Sequence, residues 1–207
     1  MSSYTENRGS VPQALKISGI GVESIENVSF EELASLYILH IKRIQPIGPY
    51  QLIGWSFGGV LAFEIARQLI EDSNLVSRVV LIDSYFNHKQ ASSMALSDTL
   101  NQKHKKNINH KYRPKKKFSS LHSEIILFKA GKLENIDEAT FQDQLNINDI
   151  KEAILMDEYY VTQTSDNHLR EYLGDDCNLI IKKLNESHTG WLKNIDDVKF
   201  ISDSIGS

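Results

Sequence analysis

The sequence predicts an α/β fold in which a mostly parallel sheet is flanked by helices. Short apolar runs alternate along the chain with amphipathic segments of helical periodicity, and strands separated by helices favour parallel pairing. The 207 residues suit one domain with a sizeable core, and a hydrophobic fraction of 41% is not that of a disordered chain.

The first predicted elements are a weak strand at residues 12–18 and a helix at 30–45. Ser29 and Glu32 form a capping box at the start of this helix. Its predicted buried face consists of Leu33, Tyr37, Ile41 and Ile44. The later predictions are strands at 49–53, 79–82, 123–128 and 178–184, with helices at 60–70 and 192–204.

The segment Gly54-Trp55-Ser56-Phe57-Gly58 is a G-x-S-x-G motif between a predicted strand and a predicted helix. Strand, sharp turn and helix together form the nucleophile elbow of the α/β hydrolases, in which the serine oxygen projects from the sheet. Flanking glycines allow such a bend without a Cβ clash. The alternative interpretation is an ordinary small polar turn. In this context we predict that Ser56 is a nucleophile.

A catalytic serine needs an acid and a base, which this fold supplies later in the chain in the order Ser, Asp, His. Asp83 closes the strand that follows the elbow helix, so we expect it beside Ser56; a turn-capping role is the alternative. His188 follows the last strong strand across a short loop and is the predicted base. His168 is its main rival, while the remaining histidines are predicted surface or loop residues: His40, His88, His104, His110 and His122.

The residues from Gly48 to Ala66 resemble the signature of the thioesterase domains that terminate nonribosomal peptide and polyketide synthases. The segments 44–46, 81–83 and 187–190 are similar to that family as well. The resemblance implies an α/β-hydrolase thioesterase domain over residues 12–207, after a flexible tail at 1–11. It implies no bound cofactor and no metal. The substrate is expected to arrive on the phosphopantetheine of a carrier protein.

The same resemblance assigns roles to matching residues. Ser56 would accept an acyl or peptidyl chain, and His188 would remove the serine proton. Asp83 would orient the imidazole, and the backbone N–H of Phe57 would stabilise the oxyanion. Hydrolysis and cyclisation are both open. Two further hypotheses are a carrier-binding domain with impaired catalysis and a free-standing esterase or editing thioesterase.

A lid insertion is predicted at about residues 84–120, a segment that is polar and short of core residues. Positions 103–117 carry eight Lys or Arg and no acid. This basic segment could steer an acidic carrier protein; the alternative is a solvated loop without a partner. Residues 134–158 carry eight Asp or Glu against one lysine and are predicted to form a solvated helical face rather than a metal site.

The N-terminus departs from the family pattern, because no loop with histidine, proline and paired glycines precedes Ser56. If the chain is complete, we expect it to lack one or more sheet strands and the second oxyanion donor. The alternatives are a truncated segment, a fragment of a longer synthase, or a shortened enzyme that recruits a substitute donor. Its net charge of −4 argues against a general nucleic-acid binder. The single cysteine, Cys177, is predicted to be structural and suits a cytoplasmic protein, and no signal peptide or membrane span is predicted.

Overall fold

The computed structural model describes residues 28–86, 112, 114, 117–120, 122–134 and 158–206. The predicted tail, the strand at 12–18 and most of the lid and of the acidic segment lie outside these residues. Within the described residues, no helix is long and apolar enough to cross a membrane.

Four parallel strands form the described sheet, in the order β1-β2-β3-β4. They are β1 (Tyr50–Trp55), β2 (Val76–Ile82), β3 (Glu124–Lys129) and β4 (Asn178–Lys183). Trp55 pairs with Ile82 and Ile82 pairs with Phe128, so the carboxyl ends of the first three strands meet at one edge. The predicted α/β class and parallel sheet are confirmed.

The helices also match the predictions, with small differences at their ends. The predicted helices are α1 (Phe30–Ile44), α2 (Phe57–Glu71) and α3 (Ile195–Gly206), the last preceded by a 3-10 turn at Gly190–Lys193. Residues 158–163 are helical as well. The capping box of α1 is confirmed, since Ser29 and Glu32 exchange both of its hydrogen bonds. Ile44 was wrongly assigned to the buried face of α1, because at the last position of the helix its side chain is 58% exposed.

The core lies on both faces of the sheet, because successive residues of a strand point to opposite sides. In β2, Val79 and Leu81 face a cluster that includes residues of α1 and α2, whereas Val80 and Ile82 face a second cluster that includes Ile201 of α3. β1 was predicted to be buried, yet it alternates, and Ile53 is 55% exposed.

The segment between β2 and β3 contributes more to the core than its polar composition indicated. Phe86, Tyr112 and Phe118 are all buried. Tyr112 stacks on Phe30 with ring centroids 4.1 Å apart and donates a short hydrogen bond to the buried carboxylate of Glu64. Three aromatic residues of this segment are therefore part of the hydrophobic core.

Candidate active site

Ser56 occupies a strained backbone conformation between β1 and α2. Its φ of 53° and ψ of −124° are unusual for a residue with a side chain, which needs surrounding structure to hold it there. The Ser56 N–H donates to the carbonyl oxygen of Ile82 at 2.9 Å, which fixes the turn against the end of β2. This geometry matches the elbow that the motif predicted.

Two glycines make the elbow possible through close backbone approach. A Cβ on Gly54 would lie 2.1 Å from the carbonyl oxygen of Gly58, and a Cβ on Gly59 would lie 1.8 Å from Ser84 Oγ. Gly58, the last residue of the motif, has no neighbour within 4 Å of such a Cβ among the described residues. The close approach of neighbouring atoms therefore explains why positions 54 and 59 are glycine. It does not explain the glycine at position 58.

Asp83 lies directly after β2, with a left-handed φ of 42° and no exposed surface. Its Oδ1 accepts a hydrogen bond from the Ala130 N–H at 2.9 Å and lies 3.4 Å from Asn167 Nδ2. Its Oδ2 accepts from the Tyr85 hydroxyl at 2.7 Å and from His188 Nδ1 at 2.7 Å.

Two opposing effects set the pKa of Asp83. Burial raises it, but the hydrogen bond from His188, the one from the Ala130 N–H, the charge of His188 and the Tyr85 hydroxyl lower it. The net pKa of Asp83 lies below its usual value. Asp83 is therefore an ionised acceptor at neutral pH.

His188 presents one ring nitrogen to Asp83. Since an ionised carboxylate can only accept, Nδ1 carries the proton of the neutral imidazole and Nε2 is left with a free lone pair. The indole N–H of Trp55 donates to the His188 carbonyl oxygen at 3.1 Å, and the two rings lie 5.4 Å apart. The residue before Ser56 thus ties the histidine loop to the elbow.

The structure brings Asp83 and His188 into direct contact and places Ser56 on the same edge of the sheet. Among the described residues, no hydrogen bond joins Ser56 Oγ to His188. In uncomplexed active sites such a bond often tightens only when substrate binds. The Phe57 N–H is the first N–H of α2, where helix N–H groups lack intrahelical partners. An anion at Ser56 would face this end of the helix.

Two carboxylates hold the loop that carries His188. The buried carboxylate of Asp197 accepts from the backbone N–H groups of Asn185 at 2.8 Å and Glu186 at 3.1 Å. On the other side of His188, Glu134 accepts from the Thr189 N–H at 2.8 Å and from its hydroxyl. Burial raises the pKa of Glu134, but the Thr189 and Ser187 hydrogen bonds and the charge of His188 lower it overall.

The sequence-based reasoning did not identify Trp55, Tyr85, Glu134 or Asp197 as parts of this site. Trp55 and Tyr85 had a usable signal, because each lies within two residues of a predicted catalytic residue. Asp197 had a weaker one, as an acid in the first turn of the last predicted helix. Glu134 had none, since its partner Thr189 is 55 residues away in the chain.

The other histidines described by the structure have different surroundings. His168 stacks on Tyr159, contacts its hydroxyl through Nε2 at 2.9 Å and contacts Glu171 through Nδ1 at 3.2 Å. His40 and His122 are exposed, and the other three predicted loop histidines lie outside the described residues. Asp83 therefore binds His188 and not the rival His168.

Cys177 is half-buried and its thiol contacts the carbonyl oxygen of Phe118 at 3.1 Å. Burial raises the pKa of this thiol, which disfavours the reactive thiolate. Across the part of the chain that the structure describes, no group of three or more His, Cys, Asp and Glu side chains could hold a metal ion.

Comparison with known proteins places the chain within one family. The family model of the thioesterase domain matches residues 8–167. The chain is 36% identical over 191 residues to N-(5-amino-5-carboxypentanoyl)-L-cysteinyl-D-valine synthase of Amycolatopsis lactamdurans, covering 86% of this chain and 5% of that protein. It is 45% identical over 80 residues to a non-reducing polyketide synthase of Cladonia grayi, covering 36% of this chain and 4% of that protein. The chain thus spans about a twentieth of the length of these relatives.

Solved structures share the fold. The NocB thioesterase domain of the nocardicin cluster, solved as a covalent complex with a fluorophosphonate nocardicin G analogue, superposes with a TM-score of 0.54 at 18% identity. The match covers 89% of this chain and 77% of that one. At this level of identity the likeness concerns the arrangement of the sheet and helices.

Proposed function

This chain belongs to the thioesterase domain family, and on that premise we propose that it releases an acyl or peptidyl chain from a carrier-protein phosphopantetheine thioester through an acyl-enzyme on Ser56. The observation that carries the proposal is the 2.7 Å contact between His188 Nδ1 and the buried Asp83 Oδ2, next to a strained serine at the start of a helix. Membership of the family supports the proposed substrate class, and this geometry supports the proposed catalytic groups.

In the first half-reaction, Ser56 Oγ attacks the thioester carbonyl carbon. An O–C bond forms, the serine proton moves to His188 Nε2, and the carbonyl oxygen becomes an oxyanion near the Phe57 N–H. The C–S bond then breaks, and the proton on Nε2 passes to the departing thiolate. Asp83 accepts from Nδ1 throughout and stabilises the imidazolium that forms between the two proton transfers.

In the second half-reaction, a nucleophile attacks the Ser56 ester. Water gives hydrolysis, and an internal amine or hydroxyl of the acyl chain gives cyclisation. His188 Nε2 takes the proton of the nucleophile and returns it to Ser56 Oγ as the ester C–O bond breaks. Both outcomes use the same three side chains, so we propose the mechanism without choosing between them.

The carrier protein is the proposed partner, and the basic segment 103–117 is its proposed docking element. Carrier proteins are commonly acidic, and opposite charges would accelerate association at long range. The expected signature is carrier binding that weakens steeply as salt rises. Affinity that is independent of salt would remove this part of the proposal and leave the catalytic part intact.

A fluorophosphonate probe tests the nucleophile directly. Ser56 Oγ displaces fluoride from phosphorus, and the adduct adds a defined mass to the peptide that contains Ser56. We expect labelling of the folded protein and none for Ser56→Ala. An unlabelled folded protein, or equal labelling of the variant, would refute the proposal.

A pair of histidine variants tests the base. We expect His188→Ala to reduce thioester cleavage by about 10⁴–10⁶-fold, as loss of a triad base does elsewhere. His168→Asn is the matched control, because asparagine tolerates the left-handed φ of 63° at that position. Equal losses in both variants would contradict the assignment of His188.

A substrate panel separates the proposed function from its two competitors. Faster turnover of carrier-bound thioesters than of small oxygen esters supports the proposal, and the reverse order indicates a free-standing esterase. Binding of the carrier without any turnover that depends on His188 indicates a binding domain with impaired catalysis.

A further inference from the structure

We propose that Tyr85 is a positioning residue for the reaction proposed above: its hydroxyl shares Asp83 Oδ2 with His188 Nδ1 and so fixes the carboxylate against the imidazole. Tyr85 lies two residues after Asp83 in the chain. The inference rests on the proposed function, and it adds a residue to which neither the G-x-S-x-G motif nor the Ser-Asp-His order assigns a role.

The hydrogen bonds of Asp83 show why Oδ2 needs a second donor. Oδ1 faces the Ala130 N–H at 2.9 Å and Asn167 Nδ2 at 3.4 Å, so this oxygen is held mainly by backbone. Oδ2 receives His188 Nδ1 and the Tyr85 hydroxyl, each at 2.7 Å. The imidazole alternates between its neutral and charged forms during catalysis. The hydrogen bond from the Tyr85 hydroxyl is present with either form, so it keeps Asp83 Oδ2 in place throughout the reaction.

Neighbouring aromatic residues hold the Tyr85 ring in the orientation that this bond requires. The Tyr85 ring stacks on Tyr160 with centroids 4.3 Å apart and planes 5° from parallel. Tyr160 is buried, and its own hydroxyl donates to the Phe86 carbonyl oxygen at 2.9 Å. The Tyr85 ring also lies 5.4 Å from the His188 ring. A packed ring loses little further rotational freedom when its hydroxyl donates, so the bond is well defined.

The charged groups around the pair define what the Tyr85 hydroxyl changes. Lys129 Nζ donates to Asn167 Oδ1 at 3.1 Å, and Asn167 in turn faces Asp83. Glu134 binds Thr189, beside His188. Removal of the Tyr85 hydroxyl leaves these groups unchanged but makes Asp83 a stronger acceptor for the Nδ1 proton. The hydrogen bond from His188 Nδ1 to Asp83 Oδ2 should then strengthen.

The test compares Tyr85→Phe with Tyr50→Phe in the intact chain. Each variant keeps its ring and loses one phenol hydroxyl that donates a hydrogen bond, but the Tyr50 hydroxyl donates to the Gln45 carbonyl oxygen at 2.9 Å, at the opposite end of β1 from Ser56. The first readout is the rate of fluorophosphonate labelling of Ser56. The second is the ¹H NMR signal of the His188 Nδ1 proton, assigned by its loss in His188→Ala, which requires no turnover.

For Tyr85→Phe we expect labelling to slow by roughly tenfold, since a hydrogen bond to a charged group is among the stronger ones. The Nδ1 signal should move downfield. Tyr50→Phe should remain within about twofold of the wild type, without a shift of the Nδ1 signal, because its hydroxyl lies at the far end of β1.

Three results would overturn the inference: no change in Tyr85→Phe, equal changes in both variants, or slower labelling without any shift of the Nδ1 signal. The last pattern would indicate a purely structural tyrosine. An unlabelled wild type would refute the proposed function instead, and the Nδ1 signal would still decide the role of Tyr85.

Discussion

Replacement of Gly59 by alanine should destabilise the elbow, whereas the same change at Gly58 should not. A Cβ on Gly59 would lie 1.8 Å from Ser84 Oγ and 2.9 Å from both Ser84 Cβ and the Gly54 carbonyl oxygen. Normal carbon contacts are about 3.5–4.0 Å, so the neighbours would have to move by more than 1 Å. Beyond its chain neighbours and the backbone of its own helix, no atom of the described chain lies within 4 Å of a Cβ on Gly58.

The difference between the free energies of unfolding of the two variants isolates the cost of the steric clash at Gly59. Both lie near the start of α2, so both gain up to about 1 kcal/mol from the better helix propensity of alanine. Only Gly59→Ala also has the overpacking cost of about 1–3 kcal/mol. We therefore expect Gly59→Ala to be less stable than Gly58→Ala by about 1–3 kcal/mol, or roughly 2–12 °C in Tm for a chain of this size.

Urea and thermal unfolding of the two variants measure this difference, with labelling of Ser56 as the functional readout. Because Ser84 follows Asp83 directly, we expect Gly59→Ala to slow labelling as well. The double variant Gly59→Ala with Ser84→Gly removes two of the three close contacts and should recover most of the stability. Equal stability of Gly58→Ala and Gly59→Ala, or no recovery in the double variant, would refute the reasoning.

Three further changes test other parts of the site and the fold. Asp83→Asn should slow thioester cleavage by about 10⁴-fold with the fold retained, because the imidazole loses its correct tautomer. Folding lowers the pKa of Asp83, so the ionised carboxylate stabilises the fold above about pH 4 and this stabilisation is lost as the pH falls further. Acid unfolding of Asp83→Asn, followed by circular dichroism, should therefore lack this pH-dependent loss of stability. Asp197→Ala should cost about 2–4 kcal/mol in urea unfolding and slow labelling of Ser56, because two backbone N–H groups of the His188 loop lose a charged acceptor. Unchanged labelling would contradict the role of Asp197. Ser29→Ala should cost about 1 kcal/mol through loss of the capping box, measured by thermal unfolding, and should leave labelling unchanged.

Features encoded in short stretches of chain could be predicted from the sequence. The capping box needs Ser29 and Glu32 three positions apart, and the elbow needs one motif between a strand and a helix. The contact between Asp83 and His188 was also predictable, because parallel strands bring their carboxyl ends to one edge of the sheet. Each of these inferences depends on a local pattern or on one general rule of topology.

Contacts between residues far apart in the chain could not be predicted from such patterns. Tyr112 lies in a lysine-rich segment, yet its ring is buried and its hydroxyl binds Glu64 in α2. Glu134 begins an acidic segment, and its partner Thr189 lies 55 residues further along the chain. For Tyr112 the composition of the segment gave the wrong expectation, because a single well-placed partner outweighs the average polarity of a segment.

The sequence by itself determined the order of the described strands and helices, the sharp turn at Ser56 and the pairing of Asp83 with His188. Only the tertiary structure decided how Asp83 is held, because its four donors come from Tyr85, Ala130, Asn167 and His188, up to 105 residues away. The physical reason is burial. A carboxylate with no exposed surface stays charged only where donors converge on it, and folding alone brings those donors together.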